Sequence, residues 1–222
     1  MQQRCLRLFL VNLCFLGVFL FGCCVVTAGE NLPPYTSHIE PIPTAMRQAM
    51  IGVSWHLGCP VALDDLRWVQ VGYVDFAGKV QHGSLVVHKS VASDVADIFG
   101  ELYAARFPIE KMQLIEVYGA DDDQSMADNN TSAFNCRKVA GTRVFSQHAF
   151  GRAIDINPVQ NPFIKKGVVS PSEGAAYTDR SRYVSGMVLK NGMVWKAFVH
   201  RQWKWGGSWR SVKDYQHFEK KQ

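Results

Sequence analysis

The chain has 222 residues, 47% of them hydrophobic and 19% charged, which suits one packed domain and excludes a chain disordered over most of its length. Its formal charge of +5 is mild and gathers in no lysine or arginine run, so no nucleic-acid partner is expected. A basic secreted chain would lean toward an anionic surface such as a cell wall.

Residues 1–28 read as a signal peptide: Arg4 and Arg7 without an acid, then an almost unbroken apolar stretch, then Val26-Thr27-Ala28 with the small residues a signal peptidase accepts. The stretch is also about long enough to span a bilayer, and Leu20-Phe21-Gly22-Cys23 faintly resembles a lipoprotein cleavage box. Membrane contact is expected only if the segment is kept or lipidated; otherwise the chain is secreted or periplasmic, and a monomer is expected. Cleavage removes four of the six cysteines. Cys59 and Cys136 remain and can form one disulfide in an oxidising compartment, whereas neither has the CxxC companion of a zinc site.

Residues 29–43 form a Pro-rich leader that reads as an extended tether, and residues 44–222 form a single domain. A short helix is predicted from Thr44 to Ile51, capped by Thr44. Residues 67–76 and 79–88 are β-rich runs around Ala77-Gly78, a hairpin. Ser90 then caps a helix to about Arg106, with Val91, Val95, Ile98, Phe99 and Leu102 at helical spacing and Pro108 beyond it. Residues 112–117 read as a buried strand, and residues 118–137 as a long polar loop in which Asp121-Asp122-Asp123 is solvated. Residues 191–203 hold a helix with Val194, Ala197 and Phe198 on one side, and YQHFE ends the domain as a strand. Without regular βαβ alternation the class is α+β, a small antiparallel sheet with flanking helices.

The chemistry concentrates in SQHAFGRAID, residues 146–155. On one straight strand His148 and Asp155 would lie roughly 23 Å apart, and on one helix about 10 Å. A bend at Gly151 folds His148 back over a strand from Arg152 to Asn157, in which Ile154 and Ile156 face one way and Asp155 the other. An imidazole and a carboxylate that converge, with a third ligand from elsewhere, make a zinc site with one open position. Among the remaining histidines His217 stands out, in a final strand that can pair beside 152–157; its spacing alone fits a ligand or a structural histidine.

SQHAFGRAIDINP resembles the S-x-H-x-x-G-x-A-x-D motif of the VanY-like D-alanyl-D-alanine carboxypeptidase and L-alanyl-D-glutamate endopeptidase family of zinc peptidases, and KDYQHFE resembles that family's closing element. FNCR, INPVQNP and WGGSW add to the likeness, which spans about Ser54 to Glu219. The resemblance implies zinc (Zn2+) held by His148, Asp155 and His217, on the α+β fold shared by hedgehog signalling domains and D-Ala-D-Ala peptidases, with peptidoglycan stem peptides as substrate. Zinc acidifies water and polarises a carbonyl, so a carboxylate must carry the proton to the leaving amine. Strand alternation places Glu219 on the face of His217, whereas the resemblance favours Asp214, which needs a turn before the histidine. Arg137 and Ser146 are the candidates for binding the substrate carboxylate or the oxyanion, with Arg137 also a candidate catalytic group; paired with the DDD run it would be structural instead. Trp203, Trp205 and Trp209 could stack sugars or pack the core. An iron oxygenase would use a tighter H-x-D pair, and a non-catalytic zinc-containing binding domain of the same fold is the alternative function.

Overall fold

A computed structural model describes residues 32–221 of the chain. The expected signal segment lies outside them. Strand β1 (Ser37–Pro41) leads into helix α1 (Thr44–Met50), and β2 (Leu66–Val74) and β3 (Val80–His88) form the predicted hairpin, paired antiparallel from Leu66↔His88 to Val74↔Val80. Its turn closes through the Asp75 carboxylate, which accepts from the Ala77 and Lys79 amides. Alternation gives the hairpin two buried faces. Val69, Val71, Leu85 and Val87 enter the main core, while Leu66 and Val86 enter a second cluster with Ile42, Met50, Phe134 and Ala149.

The leader differs from the tether expected of it. Residues 37–41 are extended, but they pair with β2 from Ser37↔Val71 to Pro41↔Arg67. The strand's side chains are mostly exposed, so its backbone makes the pairing and its sequence carries no alternating signal. Helix α1 has Pro43 at its N-cap, with Thr44 in the first turn and no side-chain cap. A proline suits a helix start because it has no amide proton to leave unsatisfied.

Helix α2 (Ala92–Ala104) buries Val95, Ile98, Phe99 and Leu102 against the sheet. Ser90 does not cap it; its hydroxyl lies 2.7 Å from His88 Nδ1. Residues 112–117 are not a strand, because Met112 and Ile115 are buried while Val117 is 67% exposed. A spacing of three fits the 3-10 turn found at Ile115–Tyr118. The polar segment that follows contains helix α3 (Asp122–Ala127), capped by the Asp121 carboxylate at the Gln124 amide. Much of the rest of this segment is buried. Asn130 accepts from the Gln113 amide and donates to the Gln113 carbonyl, and Asn129 accepts from the Val159 amide, so amides that read as loop-forming bind backbone inside the domain.

Strand β4 (Ala153–Asp155) is followed by β5 (Phe163–Lys165), β6 (Val168–Ser170), α4 (Met193–Val199), β7 (Lys204–Trp205), β8 (Lys213–Asp214) and β9 (His217–Glu219). Among the described residues the α+β class holds, but the strands form three separate three-stranded antiparallel sheets: β1-β2-β3, β4-β9-β7 and β6-β5-β8. Helix α4 buries Val194, Ala197 and Phe198, as its spacing predicted. Phe218 stacks on Phe198 with ring centroids 3.9 Å apart, and Trp203 meets Phe198 edge-on. Cys59 and Cys136 are joined in a disulfide, with Cα atoms 5.9 Å apart.

Candidate metal centre

The histidine of the central motif stands on a 3-10 turn, Gln147–Phe150, whose first amides need acceptors. Ser146 supplies one: its Oγ accepts from the His148 amide at 3.3 Å. Gly151 ends the turn at φ +66°, and a Cβ there would lie 2.6 Å from the His88 amide nitrogen. Only glycine fits both the left-handed backbone and this close approach. The chain then enters β4, whose partner is β9 in the register Ile154↔Phe218 and Asp155↔His217. Ile154 and Phe218 fill the core, and alternation turns Asp155 and His217 to the opposite side. That side is buried as well, not an open cleft: His148, Asp155 and His217 are all buried.

The three side chains converge. His148 Nε2 lies 3.1 Å from Asp155 Oδ2, His217 Nδ1 lies 2.9 Å from Asp155 Oδ1, and the two ring nitrogens are 3.2 Å apart. Their other ring nitrogens are engaged outside the cluster. His148 Nδ1 donates to the Ala133 carbonyl, and His217 Nε2 lies 3.4 Å from Glu219 Oε2. These outer partners direct His148 Nε2 and His217 Nδ1 inward. Burial works to lower the His217 pKa, but hydrogen bonds to Asp155 and Glu219 outweigh it and raise it to about 10. Burial likewise opposes ionisation of Asp155, yet the two histidines hold its carboxyl well below the ordinary range.

One ligand atom from each residue lies within 4.8 Å of the others, a group that could hold a metal ion. Stripped of protons, the site faces lone pairs toward lone pairs, an arrangement that protons or one cation must reconcile. Two imidazoles and a carboxylate suit zinc and leave a fourth position open. His56, Cys59 and Cys136 also cluster, but the disulfide leaves no thiolates to ligate.

Asp214 and His217 belong to different sheets. Asp214 pairs with Phe163 in β5, and the chain crosses at Tyr215-Gln216 to join β4. This crossing supplies the turn that the three-residue spacing needs. Asp214 Oδ1 is buried with no hydrogen-bond partner among the described residues, and burial pushes its carboxyl up to about 7, partly countered by His217. Gly206 makes room for it, since a Cβ there would lie 2.8 Å from Asp214 Cβ and 3.4 Å from His217 Cβ. Glu219 sits on the other nitrogen of His217, away from Asp155.

The remaining expected residues divide. Arg137 pairs with Asp122 at 2.7 Å, while its Nε is buried without a partner. Asp122 is therefore not solvated as expected, and burial raises its pKa against the pull of Arg137. The Ser146 hydroxyl serves the histidine turn. Trp203 and Trp205 are buried in the core, and Trp209 lies against His217 with ring centroids 5.4 Å apart. Sequence reasoning missed the outer partners. Glu219 had a signal, two residues from His217 on the same strand face, but the Ala133 carbonyl had none.

A family model described as D-alanyl-D-alanine carboxypeptidase matches residues 140–220. That span holds His148, Asp155, Asp214 and His217 but not Arg137, and it supports a peptidase. No curated protein matches the chain, and no solved structure matches it.

Proposed function

We propose that this chain is a zinc-dependent peptidase, D-alanyl-D-alanine carboxypeptidase-like, that hydrolyses peptide bonds in peptidoglycan stem peptides on a hedgehog-like α+β fold. The observation that carries the reading is the buried convergence of His148, Asp155 and His217 inside the segment that matches the peptidase family. Zinc bound there would supply a Lewis acid and an acidified water. His148 and Asp155 would hold it from the turn and strand of the central motif, and His217 would hold it from β9. The Ala133 carbonyl and Glu219 hold the two rings in the ligating orientation.

Asp214 serves as general base and then acid. Its unpartnered oxygen is free to take a proton, and burial, which favours the protonated carboxyl, suits it to hold that proton and return it to a leaving amine. Arg137, fixed by Asp122 with Nε unpartnered, orients the substrate carboxylate or the developing oxyanion. Ser146 contributes mainly by holding the histidine turn. Release of a terminal D-Ala and cleavage between L-Ala and D-Glu place the same demands on these groups. The protein acts as a secreted or periplasmic monomer once residues 1–28 are removed.

Digestion of purified muropeptides with the zinc-loaded protein, followed by mass spectrometry, tests this. Loss of D-Ala or a split between L-Ala and D-Glu is expected. Intact muropeptides of every kind after prolonged digestion would favour a non-catalytic binding domain.

A further inference from the structure

A concavity elsewhere in the domain is lined by none of the three converging residues His148, Asp155 and His217. A groove of about 500 Å³ is lined by Arg180, Lys190 and Lys213 together with Trp205, Gly207 and Tyr215, within the roughly 300–1,000 Å³ of sites that take small ligands. Its lining holds three cations and no acid. None of the three forms an ion pair among the described residues.

Two of the cations are fixed in place by neutral acceptors. The Arg180 guanidinium donates to the carbonyls of Gln160, Tyr177 and Val188 and to Asn161 Oδ1, and it lies 4.5 Å from the centre of the Tyr215 ring. Its Nε is buried and unpartnered. Lys213 Nζ donates to the carbonyls of Gly207 and Trp209. Lys190 stands exposed at the rim. Gly207 has a steric reason to be glycine, since a Cβ there would lie 2.3 Å from the Trp205 ring. The aromatic wall and the bare backbone beside it therefore go together. A structural arginine needs carbonyls or a carboxylate, but three uncompensated charges around one concavity repel each other unless an anion joins them.

We propose that this groove binds a carboxylate of an acidic peptide, with the aliphatic part of the ligand lying against the partly exposed Tyr215. A short peptide suits a local groove with an aromatic wall, whereas a phosphate polymer would need a longer basic track. The site is distinct from the metal centre. Lys213 and Asp214 are consecutive in β8 and point to opposite faces, so the groove backs the segment that carries Asp214 and leads to His217. An acidic peptide held there brings a neighbouring stretch of the same polymer to the protein. The identity of the natural ligand as a stem peptide rests on the peptidase reading; the anion site itself does not.

The test is calorimetric titration of the zinc-loaded protein with N-acetyl-tri-D-glutamate, its triglutamine counterpart and inorganic phosphate, in the unaltered protein and in Lys190→Glu. Lys190 has no bonded partner among the described residues, so the variant should melt and hold zinc as the unaltered protein does. Triglutamate is expected to bind at least tenfold more tightly than triglutamine, and Lys190→Glu to lose at least tenfold of that affinity. Affinity should also fall as salt rises. Binding unchanged in Lys190→Glu would mean that the metal centre captures the carboxylate, and would overturn the proposal. Displacement of triglutamate by phosphate at equal concentration would overturn the carboxylate assignment. Muropeptide cleavage is read separately: no cleavage together with Lys190-sensitive binding would sink the peptidase reading and leave the groove standing.

Discussion

Asp155 and His217 face each other across the β4–β9 ladder, with Oδ1 and Nδ1 2.9 Å apart. Strand register, not chain proximity, makes this pair, and Gly151 brings His148 round to complete it. One zinc ion per chain is expected in the unaltered protein, and His148→Ala, Asp155→Ala and His217→Ala should each lose it. Metal analysis of the purified variants checks this; full zinc in His217→Ala would remove that residue from the site.

Zinc uptake should release protons. Without metal the His217 pKa is raised to about 10, so its ring is protonated at neutral pH and must lose the Nδ1 proton to ligate. The sign follows from linkage: the folded-state pKa lies above the unfolded value, so the protonated ring stabilises the metal-free fold below about 6.5, and that stabilisation is lost as pH rises through about 10. Acid therefore competes with zinc. Zinc affinity should rise from pH 6 to pH 8, with proton release seen as a dependence of the binding heat on buffer ionisation enthalpy. Affinity flat across that range would contradict the assignment.

Glu219 holds the outer nitrogen of His217. Glu219→Gln should weaken zinc binding about ten- to a hundredfold while leaving turnover at saturating zinc within a few-fold of normal. Competition with a chelator gives the affinity, and a zinc-saturated assay gives the rate.

How far the sequence discloses these features depends on where each signal resides. The hairpin from Leu66 to His88 and helices α2 and α4 write their buried faces as periodic apolar residues, and the histidine, glycine and aspartate of the central motif mark a bend that only glycine can make. Strand β1 is different, because backbone pairing holds its exposed side chains to β2. Residues 112–117 mislead through apolar content, since Met112 and Ile115 repeat at three and not at two. Asn129 and Asn130 read as loop residues because buried amides bound to backbone look the same in sequence as solvated ones. The split of Asp214 and His217 between two sheets is a tertiary fact. Alternation within one strand favoured Glu219 for that reason.

The Cys59–Cys136 bond closes a loop of 77 residues in sequence separation. Its reduction should cost about 2 to 4 kcal/mol of stability, read as a lower denaturation midpoint in the presence of a thiol reductant. Two free thiols titrated in the unfolded, unreduced protein would show the bond to be absent.

The proton-transfer role proposed for Asp214 is isolated by Asp214→Asn. The substitution keeps size and burial and removes the ability to accept a proton, and Asp214 is not among the converging ligands. Zinc content and melting temperature should stay close to those of the unaltered protein, while turnover of stem peptides falls about a hundredfold or more. An Asp214→Asn protein that holds zinc and cleaves stem peptides at the normal rate would contradict the account.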